Sequence, residues 1–226
     1  MSANQQRGDT SLSERIISLI VERRLLEGDS LPPETQLMEL LHASRTSVRE
    51  ALQGLQSLGI VDIQHGRGMF VGNASLDSVR KALVFRARVS HVSDELGILP
   101  DLMELREILE THFIANVTES ATADDIEELR KAVEHMNDPA LREAADRNFH
   151  SILYRSCGNS LLLELLQLFW DTYSESRRVL PGVSESSDLS ARNHDAIVSA
   201  LAQRDSAKAR LAIAVHFNDV RRRLSK

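Results

Sequence analysis

The chain has 226 residues, of which 42% are hydrophobic, enough to build two domains or one large one. The only cysteine, Cys157, excludes an internal disulfide, and the first 30 residues hold no continuous apolar signal stretch, so we expect a cytoplasmic protein. No run approaches the ~18 apolar residues of a membrane-spanning helix. Because the net charge is −6, binding to any polyanion must rely on locally placed cations.

The first 33 residues predict a tail, one helix and a turn. Residues 1–10 are polar and are expected to form a disordered tail. Ser11 and Glu14 fit a capping box, and the apolar residues that follow predict an amphipathic helix ending near Gly28. Pro32-Pro33 then places the start of a second helix near Glu34.

The stretch 44–59, SRTSVREALQGLQSLG, predicts a helix with one buried face. Its apolar residues recur at helical spacing and form a single stripe: Val48, Ala51, Leu52, Leu55 and Leu58. The preceding segment carries Leu37, Leu40 and Leu41 at the same spacing, and only a few residues separate the two helices. Two short helices joined by a tight turn are typical of a helix-turn-helix.

Two short β-prone runs, IVDIQ and MFV, flank the sequence HGRG and predict a β-hairpin with His65, Gly66 and Arg67 at its tip. A hairpin after a helix-turn-helix is the wing of a winged helix. Arg45, Thr46, Ser47 and Arg49 lie off the apolar stripe near the start of the second helix, where unpaired N–H groups favour phosphate. Singly these arginines are ordinary solvated surface charges, but together with the wing they indicate a DNA-reading face.

The run from Glu27 to Val71 closely resembles the winged-helix domain of GntR-type transcriptional regulators, over about residues 11–71. The resemblance implies that Arg45, Thr46, Ser47 and Arg49 face the major groove of double-stranded operator DNA. It also implies that His65 and Gly66 reach the minor groove. Thr35 departs from the pattern, since many members carry Arg there.

The charge of this region predicts a homodimer. Between His42 and Phe70 there are three Arg and two His against Glu50 and Asp62. Such a weak excess predicts few phosphate contacts per subunit, so two subunits are needed on one operator to reach useful affinity.

The remaining sequence predicts an all-helical domain. We place the winged helix at residues 11–72, a linker at 73–76 and the helical domain at 77–226. The fold class is therefore mainly α, with a small β-hairpin wing in front of a helical bundle. Seven helices are expected: 76–90, 102–119, 123–136, 140–157, 160–179, 190–203 and 206–224.

Four side chains in the helical domain form a candidate metal site. Asp146 and His150 are four residues apart and share one helix face, and His194 and His216 follow on two further helices. One carboxylate and three imidazoles suit Zn²⁺, with Ni²⁺ or Mn²⁺ as alternatives. From spacing alone, hydrogen-bonded core histidines remain the stronger interpretation.

The segments DRNFH, NHDAIVSALAQRD and AVHF resemble the FCD effector domain, which accompanies this winged helix in the FadR-type branch of the family. The resemblance spans roughly residues 76–222. It implies that Asp146, His150, His194 and His216 bind a metal beneath an effector pocket, and that Arg106 in ELREILE lies in the cavity. Arg106 could instead form a salt bridge with Glu110 or Glu107.

A metal and an arginine together imply a small organic acid as effector: a hydroxy acid, a sugar acid or a dicarboxylate. The leading hypothesis is a ligand-responsive transcription factor, and the resemblance makes a repressor released by its ligand the commoner outcome. Two alternatives stay open: a metal-dependent enzyme, for which Asp195 is a conceivable base, and a DNA-binding regulator whose metal is purely structural.

Overall fold

The computed structural model describes residues 11–91, 98–177 and 188–224, and the predicted tail at 1–10 lies outside them. The chain divides into two compact units, Met1–Ser78 and Val79–Lys226. The first is a winged helix-turn-helix and the second is a helical bundle, so the predicted fold class is confirmed. No helix in the described ranges is long and apolar enough to cross a membrane.

The elements of the first unit are three helices and two strands: α1 (Leu12–Glu22), α2 (Glu34–Leu41), α3 (Arg45–Ser57), β1 (Val61–Gln64) and β2 (Gly68–Val71). Within the described ranges, seven helices follow, of which α4 begins two residues before the second unit: α4 (Asp77–His91), α5 (Leu99–Ser120), α6 (Ala123–His135), α7 (Arg142–Arg155), α8 (Ser160–Arg177), α9 (Asp188–Ala202) and α10 (Ser206–Leu224).

The apolar stripe of α3 forms the centre of the winged helix. Val48 and Leu52 are buried against Ile16 of α1 and Leu37 of α2. Leu58, which was predicted to continue the stripe, is half exposed because α3 ends one residue earlier. The buried stripe fixes the orientation of α3, so its polar residues face solvent.

Helix α1 ends at Glu22, and the prediction that it continues to Gly28 is wrong. Arg24 has a φ of 54°, a left-handed conformation that interrupts the helical hydrogen bonds. The Leu25 N–H then donates to the Ile20 carbonyl at 3.0 Å, which closes the helix end. An arginine gave no sequence signal for this stop, because glycine is the usual residue in such a position.

The wing is larger than the predicted hairpin. Strands β1 and β2 pair antiparallel with Gln64 opposite Gly68, so residues 65–67 form the turn, and Gly66 has a φ of 75°. A third segment adds to β2, because Ser30 bridges Phe70 and the Leu31 N–H donates to the Met69 carbonyl at 2.8 Å. The loop between α1 and α2 therefore anchors the wing to the helices.

The bundle has one continuous core to which α5, α6, α7, α8, α9 and α10 all contribute. Helix α5 packs on α10, α10 on α9, and α7 on both α6 and α8. The predicted helices match these elements to within a few residues, and the predicted end of the α8 segment, 178–179, lies outside the described residues. Helix α5 begins three residues before the predicted start, with Pro100 in its first turn, where proline is tolerated.

Candidate functional site

The amino end of α3 presents the first group of predicted DNA-binding residues. Ser44 caps the helix and its Oγ accepts a hydrogen bond from the Ser47 N–H at 3.2 Å. Arg45, Thr46 and Ser47 occupy the first turn and are exposed. This turn combines unpaired backbone donors, hydroxyl groups and the exposed guanidinium of Arg45. Such a combination suits a phosphate or a base edge.

Arg49 lies one turn further along α3 and is held by an acidic partner. Its Nε donates to both carboxylate oxygens of Glu34 at 3.0 Å, although the Arg49 side chain remains 61% exposed. Glu34 therefore fixes the guanidinium across the helix-turn-helix and partly neutralises its charge. Of the two arginines, Arg45 is therefore the better candidate for a contact with DNA, because Arg49 already pairs with Glu34.

An open groove joins α3 to the wing, because Arg49 and Glu34 line it together with His65, Gly66 and Arg67. Arg49, one of the predicted residues on α3, thus shares one side of the winged helix with the predicted wing residues. Thr35, in the first turn of α2, is also exposed. Which of these side chains contact DNA stays a prediction.

The predicted metal ligands converge in the centre of the bundle, although they come from three helices. Asp146 and His150 lie on α7, His194 on α9 and His216 on α10. His194 Nε2 lies 3.0 Å from Asp146 Oδ1 and 3.4 Å from His150 Nε2. One ring nitrogen from each histidine falls within a group whose atoms all lie within 4.8 Å of one another.

These donors fit a divalent metal ion. Two ligand atoms that are each ~2.1 Å from one ion lie about 3.0–3.4 Å apart at octahedral or tetrahedral angles. The two separations from His194 Nε2 fall in that range, whereas His150 Nε2 lies farther from Asp146 Oδ1, at 3.9 Å. The three histidines are at most 5% exposed, and Asp146 is 27% exposed. Three neutral imidazoles and one carboxylate are a chemically appropriate set for Zn²⁺, Ni²⁺ or Mn²⁺.

A buried ion pair on α5 borders the histidines. Arg106 Nε donates to Glu110 Oε1 at 2.6 Å, so the predicted i, i+4 salt bridge is present. Glu110 Oε2 lies 2.9 Å from His150 Nδ1, a close contact whose two atoms are not aligned as a hydrogen bond. Arg106 Nη2 is buried and has no hydrogen-bond partner among the described residues. The salt bridge therefore leaves one donor of the guanidinium for another acceptor.

Two aromatic residues complete the surroundings. Trp170 of α8 donates from Nε1 to Asp146 Oδ2 at 2.9 Å. This hydrogen bond orients the carboxylate through the oxygen that does not face His194. Tyr154 of α7 donates from its hydroxyl to the Glu110 backbone carbonyl at 3.1 Å. A narrow crevice between α7 and α8, lined by Arg147, Gln167 and Trp170, reaches His150.

The pKa values of His150 and His216 favour neutral imidazoles, and those of Glu110 and Asp146 favour charged carboxylates. Burial lowers the pKa of His150, and Glu110 only partly offsets this. Burial also lowers the pKa of His216 well below its ordinary value, and His194 and His150 add to the shift. Although burial by itself raises the pKa of Glu110, the neighbouring His150 and Arg106 hold it well below its usual range. Neutral imidazole is the form that binds a metal.

Sequence reasoning missed two supporting contacts. It treated Glu110 only as a partner for Arg106 and did not connect it to His150. It also did not connect Trp170 to Asp146. A signal for Glu110 was available, because a carboxylate one turn after a buried arginine on an interior helix face must itself be buried.

A winged helix-turn-helix followed by a helical bundle with a buried polar centre defines the class of two-domain winged-helix proteins. Residues 10–71 match the family described as bacterial regulatory proteins, gntR family, and residues 101–219 match the FCD domain. The chain is 28% identical to the Uxu operon transcriptional regulator of Escherichia coli over 238 aligned positions, covering 99% of this chain and 89% of that protein.

Two further comparisons agree. The chain is 30% identical to the HTH-type transcriptional repressor NanR of Cronobacter sakazakii, with 92% of this chain and 82% of that protein covered. Its structure is similar to that of Streptococcus agalactiae GntR, with a TM-score of 0.66 and 25% identity over 93% of this chain and 97% of the other. The chain belongs to the GntR family and carries an FCD domain. It is a DNA-binding transcriptional regulator and not an enzyme.

The lowered histidine pKa values predict acid sensitivity of the metal-free protein. The unfolded chain takes up protons near pH ~6.5, whereas the folded chain resists protonation of His150 and His216 until lower pH. The unfolded state thus binds more protons in this window, so the free energy of unfolding should fall as pH drops below ~6.5. The carboxylates add a similar loss only below pH ~4.5.

Urea unfolding of the metal-free protein between pH 7 and pH 5 measures this effect. His216→Gln should flatten the pH dependence, and His135→Gln, which replaces an exposed histidine on α6, should leave it unchanged. Equal stability of the wild-type protein at both pH values would contradict the assignment.

Proposed function

We propose that this protein is an operator-binding repressor whose bundle holds a divalent metal, most simply Zn²⁺, and a small organic acid that controls DNA binding. The observation that carries the proposal is the buried cluster of His150, His194 and His216, with Asp146 3.0 Å from His194 and Arg106 buried beside it. A relative that is 30% identical over 92% of this chain is named a transcriptional repressor. Ni²⁺ and Mn²⁺ suit the same donors.

The chemistry of the cluster favours an acid as effector. Four protein donors leave one further position on a five-coordinate metal and two on a six-coordinate one, and a carboxylate or hydroxyl oxygen is a suitable donor. Arg106 Nη2 is a buried donor without a partner among the described residues, and such a group gains from meeting a carboxylate. A hydroxy acid, sugar acid or dicarboxylate could contact both the metal and Arg106.

For DNA binding, we propose that the first turn of α3 enters the major groove and the wing tip reaches the minor groove. Arg45, Thr46 and Ser47 are exposed on that turn, and Arg49 lines one groove with His65 and Arg67. The Glu34 contact limits what Arg49 contributes, so Arg45 is the principal candidate for reading a base edge.

We also propose that the protein acts as a homodimer and that α5 and α10 carry the interface. These helices pack antiparallel. Arg204, just before α10, donates to backbone carbonyls at the end of α5, and Arg221, near the end of α10, contacts Glu107 in the first half of α5. Their exposed sides carry four large apolar residues: Leu105, Ile108, Leu211 and Val215.

The charges beside this apolar surface favour a second copy of the same chain as its partner. Exposed Glu104 lies at one end of the helix pair, and exposed Arg210 lies at the other. A two-fold axis through the middle would bring the acidic end of one copy to the basic end of its partner.

Replacing Arg45 by Ala should weaken operator binding by ~1–3 kcal/mol if the guanidinium reads a guanine edge. The operator sequence can first be selected from random DNA duplexes with the wild-type protein, and affinity can then be measured by fluorescence anisotropy. Arg130→Ala, an exposed arginine on α6, serves as the control and should bind normally. Unchanged affinity of the Arg45 variant would remove this residue from the interface.

Replacing His194 by Ala should lower the metal content and abolish stabilisation by acids. Metal-loaded wild-type protein should melt at a higher temperature with an acid that binds only the folded state, and the same acid should reduce operator affinity. Asp195→Ala, at the neighbouring exposed position, is the matched control. Metal binding without any acid-dependent shift would favour a purely structural metal.

Replacing Leu211 by Glu should convert the dimer to a monomer, because the substitution places a charge in the apolar surface of α10. Light scattering coupled to size-exclusion chromatography measures the change. Leu161→Glu alters a similarly exposed leucine on α8 and should leave the dimer intact. If only the Leu161 variant dissociates, the interface lies on α8 instead.

A further inference from the structure

Glu110 is the most deeply buried acidic side chain of the described bundle, with 0% exposure. A buried carboxylate is costly unless its oxygens have charged or hydrogen-bonding partners. Oε1 accepts the hydrogen bond from Arg106 Nε at 2.6 Å, and Oε2 lies 2.9 Å from His150 Nδ1. The two oxygens therefore serve different residues, one on the same helix and one on α7.

The contact with His150 has a consequence for the imidazole tautomer. A carboxylate is only an acceptor, so a neutral His150 satisfies it best with the proton on Nδ1. Nε2 then keeps its lone pair, and this atom lies 3.4 Å from His194 Nε2 and 3.9 Å from Asp146 Oδ1. The lone pair is thereby placed in the group of donors that suits a metal.

The contact with Arg106 determines which guanidinium nitrogen stays available. Nε is engaged by Glu110, and Nη2 is the buried nitrogen without a hydrogen-bond partner among the described residues. The Tyr154 hydroxyl holds the Glu110 backbone carbonyl at 3.1 Å and so ties this turn of α5 to α7. Glu110 can neither rotate away from Arg106 without losing a buried cation nor leave His150 without losing a buried polar neighbour.

We propose that Glu110 is a positioning residue that fixes His150 with Nε2 toward the metal and, through its other oxygen, holds Arg106 with Nη2 toward the effector. The proposal rests on the metal and acid site proposed above. It assigns no metal bond to Glu110 itself. Because one carboxylate serves both partners, its loss weakens the metal site without removing any metal ligand.

Zinc titration of the metal-free protein against a chromophoric chelator tests this role, with Zn²⁺ alone as the probe. Glu110→Gln should raise the zinc dissociation constant about 10–100-fold, the range for loss of an outer partner of a metal-bound histidine. Glu119→Gln, which alters an exposed glutamate on the same helix that lies outside the proposed dimer surface, should leave it unchanged. Circular dichroism of each metal-free variant confirms that the helical content is retained.

Nitrogen NMR of the histidine rings provides a measurement that needs no Glu110 variant. In zinc-loaded wild-type protein, the His150 ring, assigned by comparison with His150→Asn, should carry its proton on Nδ1. The Arg106 Nε–H should also be protected from exchange. A His150 ring without a proton on Nδ1 overturns the proposal even if Glu110→Gln does not fold.

The outcomes separate this inference from the function on which it rests. If the wild-type protein binds no zinc, the metal site fails and the role of Glu110 fails with it. If the wild-type protein binds zinc, His194→Ala weakens binding and Glu110→Gln does not, only the role of Glu110 is overturned.

Discussion

The contact between Glu110 and its two buried partners determines how the interior of the bundle is built. A carboxylate, a guanidinium and an imidazole are all removed from water here, and each depends on the others for compensation. Replacing Arg106 or Glu110 leaves an uncompensated charge, whereas the intact set restricts the rotamers of all three side chains. A polar interior of this kind contributes less to stability than to defining a single arrangement.

In the winged helix the functional charges must be exposed to solvent, whereas those in the bundle are buried. The apolar stripe of α3 fixes the helix against α1 and α2, so its first turn faces outward. The overall charge of the chain does not help, since it is −6. Local placement decides instead: Arg45 stands at a helix end with unpaired N–H groups, whereas Arg49 is partly neutralised by Glu34.

The sequence predicted the elements well where a periodic pattern continued over several turns. The core face of α3 and the positions of the bundle helices follow from apolar spacing. The end of α1 could not be predicted, because Arg24 adopts a positive φ that its residue type does not favour. The pairing of Ser30 with Phe70 could not be predicted from the sequence either, since it is a tertiary contact between segments 40 residues apart.

The candidate site shows the same division between local and tertiary information. The i, i+4 spacing placed Asp146 and His150 on one face, but nothing in the spacing brought His194 and His216 to them, and the family resemblance carried that step. The link from Glu110 to His150 joins α5 to α7. It depends on how the two helices pack, and helical periodicity contains no information about that.

The geometry also constrains how an acid could control DNA binding. A ligand shifts a conformational equilibrium only by binding one state more tightly than another. The proposed metal ties α7, α9 and α10 together, and Glu110 adds α5 through His150. An acid that engaged Arg106 Nη2 would therefore meet a group already coupled to the metal ligands, and its affinity would depend on whether these four helices hold this arrangement. Metal and acid would then stabilise the same packing of the bundle, and by linkage each would raise the affinity for the other.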